Sequence, residues 1–495
     1  MKRRISKSRF QKGLQCEKAL WLAINRSELA TPVGETLQWT FDQGTSVGRL
    51  AQELFGGGVE VTEDFRNPEG ALATTASLLT GGATVLYEPA FEHNGAFCRA
   101  DILVAADDGR WDLYEVKSTA SLKAQHVTDA AVQAYAIEGS GVPLRSINVV
   151  HLNNTYVWDG VPYDPQALFT IAEVTDDARA FMPQVPAALA RFQTMLEGRM
   201  PAMRIGSQCT SPYTCDFYEH CHAFLPAEHP VTALPRLPEV VLHRLLDARI
   251  TSIADIPDDF GGLSAAQAEA VSVVKSGVPH VDAAGLAREL GGVTWPVYHL
   301  DFETVAPALP LWPGTHPYQT IPFQYSVHVQ DSNGRIEHRE YLYEGADDPR
   351  RALATRLLAD LGESGSVAHY TAYERTQLAA LAVALPDLAP AIEAVIARLW
   401  DLERVVRVHT RHPLSAGRSS IKYVLPAWCP DCSYEGLEIA DGQTASVRCL
   451  RVLTGVADAG EAEATYAALR EYCGLDTWAM VRLLQEMQRL ADAPA

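Results

Sequence analysis

The sequence predicts a mixed α/β protein that is built from two or three domains. Helical stretches and a β-hairpin are mixed within residues 1–222, and a new strand-rich pattern with its own hairpin begins at Val297. Between these regions, residues 223–296 are punctuated by proline and have the periodicity of helices. A chain of 495 residues is also too long for one ordinary hydrophobic core. We therefore expect an N-terminal domain, a helical connecting module and a C-terminal domain over residues 297–495.

The composition is that of a globular protein, with 47% hydrophobic and 21% charged residues. The longest apolar run near the N-terminus, Ala19–Ile24, is too short for a signal peptide or a membrane span. We therefore expect a cytoplasmic protein with no membrane partner. Nine cysteines, odd in number and partly clustered, argue against a disulfide framework and favour metal ligands or free thiols.

The net charge of −20 is unusual for a protein that binds nucleic acid, because such proteins normally carry a basic surface. Carboxylates clustered at metal sites would explain part of this acidity. One basic stretch, MKRRISKSRFQKGLQCEK, contains seven lysines and arginines and a single acid, Glu17. This stretch is either a solvated tail or an arm that contacts phosphates.

Residues 97–118, FCRADILVAADDGRWDLYEVKS, predict two strands around the turn ADDG. Period-two alternation places Glu115 and Lys117 on one face of the second strand. Antiparallel pairing about this turn places Asp101 opposite Tyr114, next to Glu115. Two carboxylates suit Mg²⁺ or Mn²⁺, and an adjacent lysine can stabilise charge on a phosphate. An exposed Glu–Lys pair on a surface hairpin would give the same pattern.

These residues resemble the motifs of the PD-(D/E)XK nucleases of the RecB family: "RAD", then "EVK", then Gln133 on a following helix. The resemblance implies a restriction-endonuclease-like domain over residues 1–222. In such a domain Asp101 and Glu115 would bind the metal ion. Lys117 and Gln133 would be the catalytic side chains.

Three cysteines, Cys209, Cys215 and Cys221, are separated by two equal gaps of six residues. They are one short of a closed four-thiolate site, and Cys16 is the candidate for the fourth ligand. Spacing alone does not distinguish zinc from an iron–sulfur cluster.

One branch of the RecB family, which includes the CRISPR-associated RecB-like exonucleases and AddB, carries an iron–sulfur cluster. In that branch one cysteine precedes the nuclease core and three follow it. The similarity of Cys16 and the three later cysteines to this arrangement implies a 4Fe–4S cluster that joins the two ends of the N-terminal domain.

In the C-terminal region, VYHLDFET reads as an apolar strand with Asp301 and Glu303 on one face. Carboxylates on a buried strand are costly unless a cation compensates them. Near the end of the chain, Asp476 lies within the apolar stripe of a helix, four residues after Tyr472. Each motif also has a structural alternative. Asp301 and Glu303 could be a solvent-exposed pair at a strand end, and Asp476 could be a structural aspartate that is capped or paired.

These two motifs, Asp-x-Glu and Tyr-x-x-x-Asp, resemble those of the DnaQ-like 3′–5′ exonucleases of the ribonuclease-H superfamily, the DEDDy type. The segment VAHYTAYERTQL is similar to the middle motif of that family, with Glu374 where aspartate is usual. The resemblance implies a ribonuclease-H-like domain over residues 297–495, in which Tyr472 orients the attacking water. Its two divalent ions would be bound by Asp301, Glu303, Glu374 and Asp476.

The chain as a whole resembles a bacterial family that joins an iron–sulfur RecB-like nuclease to this ribonuclease-H-like domain. The resemblance implies a nuclease that depends on Mg²⁺ or Mn²⁺ in both domains and hydrolyses DNA, exonucleolytically at single-stranded ends. The alternative is a nucleic-acid-binding protein with a structural metal cluster and one active domain or none. The sequence identifies no protein partner.

Overall fold

The computed structural model describes residues 3–493 as a mixed α/β chain that divides into two compact units. The first unit comprises the residues up to Ala223 together with Pro307–Gln319. The second comprises Phe224–Ala306 and the residues from Thr320 onward, so it includes most of the stretch expected as a connecting module. Within residues 3–493, no helix combines the length and the apolarity that crossing a lipid bilayer requires.

The first unit is organised around two sheets. Its strands and α-helices, in chain order, are β1 (Ile5–Ser6), α1 (Lys7–Gln15), α2 (Glu17–Asn25), α3 (Glu35–Gln52), β2 (Val59–Glu60), α4 (Pro68–Thr80), β3 (Val85–Tyr87), β4 (Ala90–His93), β5 (Ala96–Arg99), β6 (Ile102–Ala105), β7 (Trp111–Lys117), α5 (Ala124–Gly139), β8 (Leu144–Leu152), α6 (Pro165–Leu168), β9 (Phe169–Glu173), α7 (Thr175–Phe181), α8 (Val185–Glu197) and α9 (Tyr218–His222). The larger sheet is mixed and has the strand order β2-β3-β6-β7-β8-β9, and the smaller has the order β1-β5-β4.

Helix α5 packs on the larger sheet through small apolar side chains. Ala130, Ala134 and Ile137 are fully buried and share a core with Leu113 of β7. The same helix also buries Gln133. The packing that builds the core therefore brings a polar side chain of α5 towards β7.

The hairpin of β6 and β7 has a register one residue away from the predicted one. Ile102 pairs with Tyr114, so Asp101 falls opposite Glu115 instead of Tyr114. The reason is the turn, which contains three residues and has Gly109 in the left-handed region at φ 80°. A three-residue loop that ends in such a glycine is a common alternative to the two-residue turn that we assumed.

The second unit contains one five-stranded mixed sheet and a two-stranded ribbon. Its strands and α-helices are α10 (Glu239–Asp247), α11 (Ala265–Ser276), β10 (His280–Val281), α12 (Ala283–Leu290), β11 (Val297–Val305), β12 (Ile321–Gln330), β13 (Ile336–Leu342), α13 (Arg350–Leu361), β14 (Ser366–His369), α14 (Tyr373–Ala384), α15 (Ala389–Ile396), β15 (Leu399–Asp401), α16 (Leu402–His409), β16 (Thr410–Arg411), α17 (Ile421–Trp428), α18 (Gly442–Leu453) and α19 (Ala459–Ala491). The sheet order is β13-β12-β11-β14-β15, and β10 pairs with β16.

Strand β11 lies at the centre of the five-stranded sheet, antiparallel to β12 and parallel to β14. Its Leu300 and Phe302 are buried in a core with α13, α14 and α15. Alternation along the strand turns Asp301 and Glu303 to the opposite face, where α18 and α19 contact β11. The hairpin predicted within the strand-rich C-terminal region is confirmed. It spans the segment QDSNGR, where Gln330 of β12 pairs with Ile336 of β13.

The short helices α1 and α2 meet at Cys16, which is extended, with φ at −161°. Phe10 of α1 packs edge-to-face on Phe192 of α8, with ring centroids 5.4 Å apart. Gly13 lies in the same contact, because a Cβ atom there would come within 2.7 Å of the Phe192 ring and 2.8 Å of Leu20. The position of Cys16 therefore depends on close packing of α1 against α8.

We expect Gly13→Ala to destabilise the first unit, because overpacking of this kind costs about 1–3 kcal/mol. Gly48→Ala on α3 is the matched control, since no atom lies within 4 Å of a Cβ placed there. Replacing an unhindered helical glycine by alanine gains about 1 kcal/mol. Urea unfolding of both variants measures the two effects, and a gain in stability for Gly13→Ala would contradict the packing.

Candidate functional site

A cluster of acidic and basic side chains joins β7 to α5 in the first unit. The Glu115 carboxylate is 1% exposed and accepts hydrogen bonds from Lys117 Nζ at 2.7 Å and from Gln133 Nε2 at 2.5 Å. Asp101 Oδ2 accepts a hydrogen bond from the backbone N of Val116 at 2.6 Å. The structure therefore brings together the four residues predicted from the hairpin and helix motifs, namely Asp101, Glu115, Lys117 and Gln133.

Two further members of this cluster were not predicted. Lys7 Nζ lies 2.6 Å from Glu115 Oε1, although the two residues are 108 positions apart in the chain. Lys117 also donates to Asp129, which lies on α5. Lys7 belongs to the basic N-terminal stretch and begins helix α1, so this lysine is not part of a solvated tail. Lys2, in the same stretch, lies outside the described residues.

The two carboxyl groups of this cluster are in different electrostatic states. Burial alone would raise the pKa of Glu115, but Lys117 and Lys7 lower it overall. Burial raises the pKa of Asp101 well above its usual range, and the negative charge of Glu115 adds to this shift. A divalent cation between the two carboxyl groups would provide the compensation that Asp101 lacks.

The four predicted cysteine ligands line one small cavity of about 20 Å³, namely Cys16, Cys209, Cys215 and Cys221. The chain ends that carry them are held together by polar contacts. Gln15 Nε2 donates to the carbonyl oxygens of Gln208 and Tyr213, each at 2.7 Å. Lys12 forms an ion pair with Asp216.

Four thiols facing one cavity are the donor set of a structural zinc site or of an iron–sulfur cluster. Burial raises the pKa of both the Cys209 and the Cys215 thiols. Among residues 3–493, no three of these thiols have their sulfurs within 4.8 Å of one another. A single tetrahedral Zn²⁺ would place them about 3.8 Å apart, so the sulfurs would have to approach each other to bind it.

The second unit contains a cavity of about 280 Å³ that is lined by all the residues predicted for its site, namely Asp301 and Glu303 of β11, Glu374 of α14, and Tyr472 and Asp476 of α19. Glu374 lies in the first turn of α14. Tyr472 and Asp476 lie one turn apart on the side of α19 that faces this cavity.

Glu303 and Glu374 are buried in this cavity, Asp301 and Asp476 are half-buried, and the four carboxyl groups repel one another. Burial raises the pKa values of Asp301 and Glu303 well above their usual range, and Asp476 adds to both shifts. Burial also raises the pKa of Glu374 to about 7 and that of Asp476 to about 6. The cavity therefore favours either protons or bound cations over free carboxylates.

Two more side chains of this site were missed by sequence reasoning. Tyr434 donates a hydrogen bond from its hydroxyl to Asp476 Oδ1 at 2.5 Å. Lys422 is the only basic residue in the described lining of the cavity, and its Nζ lies 5.8 Å from the Tyr472 ring centroid. Neither has a fixed spacing from the predicted motifs. The one sequence feature that could have indicated Lys422 is its position in the otherwise apolar start of α17, IKYVLPAW.

Residues 298–420 match the model of the family described as "Domain of unknown function (DUF2779)". The match covers about a quarter of the chain and includes three of the four carboxylates of the second-unit cavity, but not Asp476. A search of curated proteins finds no match.

We expect protein purified without oxygen to be brown, because iron–sulfur clusters held by thiolates absorb visible light. Cys215→Ala should bleach this colour and lower the unfolding midpoint of the first unit. Cys98→Ala is the control, since this buried thiol of the same unit does not line the cavity. Iron, sulfide and zinc analysis complete the measurement, and a colourless protein with stoichiometric zinc would contradict the iron assignment.

We also expect Mn²⁺ to raise the unfolding midpoint of the full chain, because a cation relieves the repulsion among the buried carboxylates. At a concentration 100 times the dissociation constant the gain is about 2.7 kcal/mol. The gain should shrink in Asp476→Asn and persist in Glu471→Gln, which changes an exposed acid on the same helix. An equal gain in both variants would show that Mn²⁺ acts elsewhere.

Proposed function

We propose that the protein is a metal-dependent nuclease that hydrolyses DNA exonucleolytically at single-stranded ends. The observation that carries the proposal is the convergence of four carboxylates on one cavity, from a strand and two helices that are far apart in sequence. Grouping buried acids in this way costs free energy unless cations bind there. Enzymes that hydrolyse phosphodiester bonds commonly use two divalent cations that are bound by carboxylates.

We assign the second unit to the ribonuclease-H-like exonucleases of the DEDDy type. Asp301 and Glu303 on a central strand, Glu374 in the first turn of a helix, and Tyr472 with Asp476 on a late helix support this assignment. Bound Mg²⁺ or Mn²⁺ would supply Lewis acidity and a more acidic water.

The residues of the chain would have the following roles in hydrolysis. Tyr472, held beside Asp476, orients the attacking water, and Lys422 offers a positive charge to the phosphate. The water releases a proton to solvent as its oxygen bonds to phosphorus. The bond from phosphorus to the 3′ oxygen breaks, and that oxygen takes up a proton. The products are a 5′-nucleotide and a chain with a new 3′-hydroxyl group.

A single-stranded substrate is supported by the aromatic edge of the cavity. Tyr373 lines the cavity, is 41% exposed and is held by a hydrogen bond of 2.5 Å between its hydroxyl and that of Thr304. An exposed, anchored ring can stack on an unpaired base, and such stacking tolerates any sequence. Paired bases would not offer their faces to this ring.

For the first unit we propose a second nuclease site, of the PD-(D/E)XK type. Asp101 and Glu115 would hold its metal ion, and Lys117 and Gln133, which both contact Glu115, would lie beside the reacting phosphate. The four-cysteine cavity would hold a 4Fe–4S cluster with a structural role.

The test of both sites is cleavage of 3′-labelled and 5′-labelled single-stranded DNA by the full chain with Mn²⁺. Asp301→Asn should reduce stepwise trimming from the 3′ end by at least about 100-fold, since it removes a group that stabilises the transition state. Tyr472→Phe should slow trimming and leave Mn²⁺ binding unchanged. Cleavage that remains in Asp301→Asn should disappear when Lys117→Ala is added.

Lys123→Ala, which changes an exposed lysine before α5, is the control for Lys117→Ala. A parallel RNA oligonucleotide tests the preference for DNA. If neither Asp301→Asn nor Lys117→Ala changes cleavage, the proposal is wrong. If wild-type protein binds single-stranded DNA without cutting it, the protein is a binding protein instead.

A further inference from the structure

Cys473 occupies an unusual place for a buried cysteine. It directly follows Tyr472 on α19, is completely buried, and has its Sγ 3.7 Å from Asp301 Oδ2. Buried cysteines usually act as small apolar side chains among other apolar groups. This thiol instead lies against a carboxyl group in the site proposed for catalysis.

Within residues 3–493, one group of three metal-ligating side chains has its ligand atoms within 4.8 Å of one another. It consists of Asp301, Glu303 and Cys473. The other two carboxylates of the cavity, Glu374 and Asp476, are not members of this group.

The position of Glu303 is a second observation that points to a cation at this place. Its side chain is 5% exposed and lines the cavity, yet in the described part of the chain its carboxylate forms no hydrogen bond or ion pair. The ammonium group of Lys422 acts on it only at longer range. A buried carboxylate without a partner is expensive, and a cation bound by its oxygen would remove that cost.

The distances fit a small transition-metal ion. Zinc binds thiolate sulfur at about 2.3 Å and carboxylate oxygen at about 2.0 Å, which separates the two ligand atoms by about 3.5 Å in a tetrahedral site. The observed separation of Cys473 Sγ from Asp301 Oδ2 is 3.7 Å. Two carboxylates and one thiolate are three protein ligands, and catalytic zinc sites have three protein ligands and one open position.

We propose that Cys473 is a metal ligand and that Asp301, Glu303 and Cys473 together bind Zn²⁺ in preference to Mg²⁺. On binding, the thiol releases its proton to solvent, and the sulfur lone pair forms the bond to the metal. Sulfur is a poor ligand for Mg²⁺, which prefers oxygen, and a good ligand for Zn²⁺. The role of this ion in catalysis rests on the proposed function. The metal site itself does not, because metal binding is measured without substrate.

The test uses full-chain protein from which loosely bound divalent ions have been removed by chelation. Zn²⁺ and Mg²⁺ binding are measured by calorimetry, and Co²⁺ is used as a spectroscopic probe because a thiolate ligand gives it an intense charge-transfer absorption. Cys473→Ser should weaken Zn²⁺ binding at one site by at least about tenfold, since even indirect partners of a metal contribute that much. It should also remove part of the cobalt–thiolate absorption and leave Mg²⁺ binding nearly unchanged.

The four-cysteine cavity of the first unit is intact in all these proteins, so its contribution cancels in the difference between wild type and variant. Cys449→Ser is the matched control, because it also removes a buried thiol of the second unit, and it should keep the full cobalt absorption. Glu303→Gln is the second variant. It should weaken Zn²⁺ binding while keeping the cobalt–thiolate absorption, which a merely misfolded site would lose.

Equal Zn²⁺ affinity and equal cobalt spectra in wild type and Cys473→Ser would overturn the assignment of Cys473. If trimming of DNA still depends on Asp301 in that case, the proposed nuclease stands and only the ligand is wrong. If Zn²⁺ binding depends on Cys473 but no variant or wild-type protein cuts DNA, the metal site stands and the nuclease is wrong.

Discussion

The mutual repulsion of buried carboxylates is the constraint on which the architecture of the second unit depends. Strand β11 alternates, so the register that buries Leu300 and Phe302 in the core also turns Asp301 and Glu303 towards α19. A slip of one residue would expose the core side chains and bury the acids in apolar surroundings. Core packing thus forces the acids to face Asp476, and the fold is compatible with this only if protons or cations neutralise them.

In the first unit, lysine side chains compensate the charge of the buried carboxylate. Glu115 is fully buried, but the ammonium groups of Lys117 and Lys7 contact it directly, and Lys117 also contacts Asp129. The charges of this cluster are therefore nearly balanced without a metal ion. The described lining of the second-unit cavity instead contains four carboxylates and a single basic residue, Lys422. A cation that enters the first site has to compete with two ammonium groups for Glu115, while a cation that enters the second meets no such competitor. The two sites should accordingly differ in their affinity for the same ion.

The strands and helices that carry the sites could be predicted because local periodicity determines them. Alternation placed Asp301 and Glu303 on one face of β11, and helical spacing placed Tyr472 above Asp476. The register of the β6–β7 hairpin was wrong by one residue, because turn length depends on the backbone of Gly109 and not on the hydrophobic pattern.

Lys7, Asp129, Lys422 and Tyr434 could not be predicted as site residues, because they reach their carboxylates only through tertiary packing. Cys473 looked like a core residue for the same reason. On its helix it occupies an apolar position, and only the approach of β11 places Asp301 beside its sulfur.

The two ends of the first unit are joined by polar contacts that contribute little to stability. Lys12 pairs with Asp216, and Arg191 with Glu17, but all four side chains are partly exposed, and such ion pairs contribute about 0–1 kcal/mol each. The apolar cluster behind the cysteines has few fully buried members, such as Phe217. Residues 207–222 contain only a 3₁₀ turn and the five-residue helix α9, so local structure stabilises them little. Bound metal would add four covalent-strength bonds across this junction, and its loss should therefore release this segment while leaving the core around α5 folded.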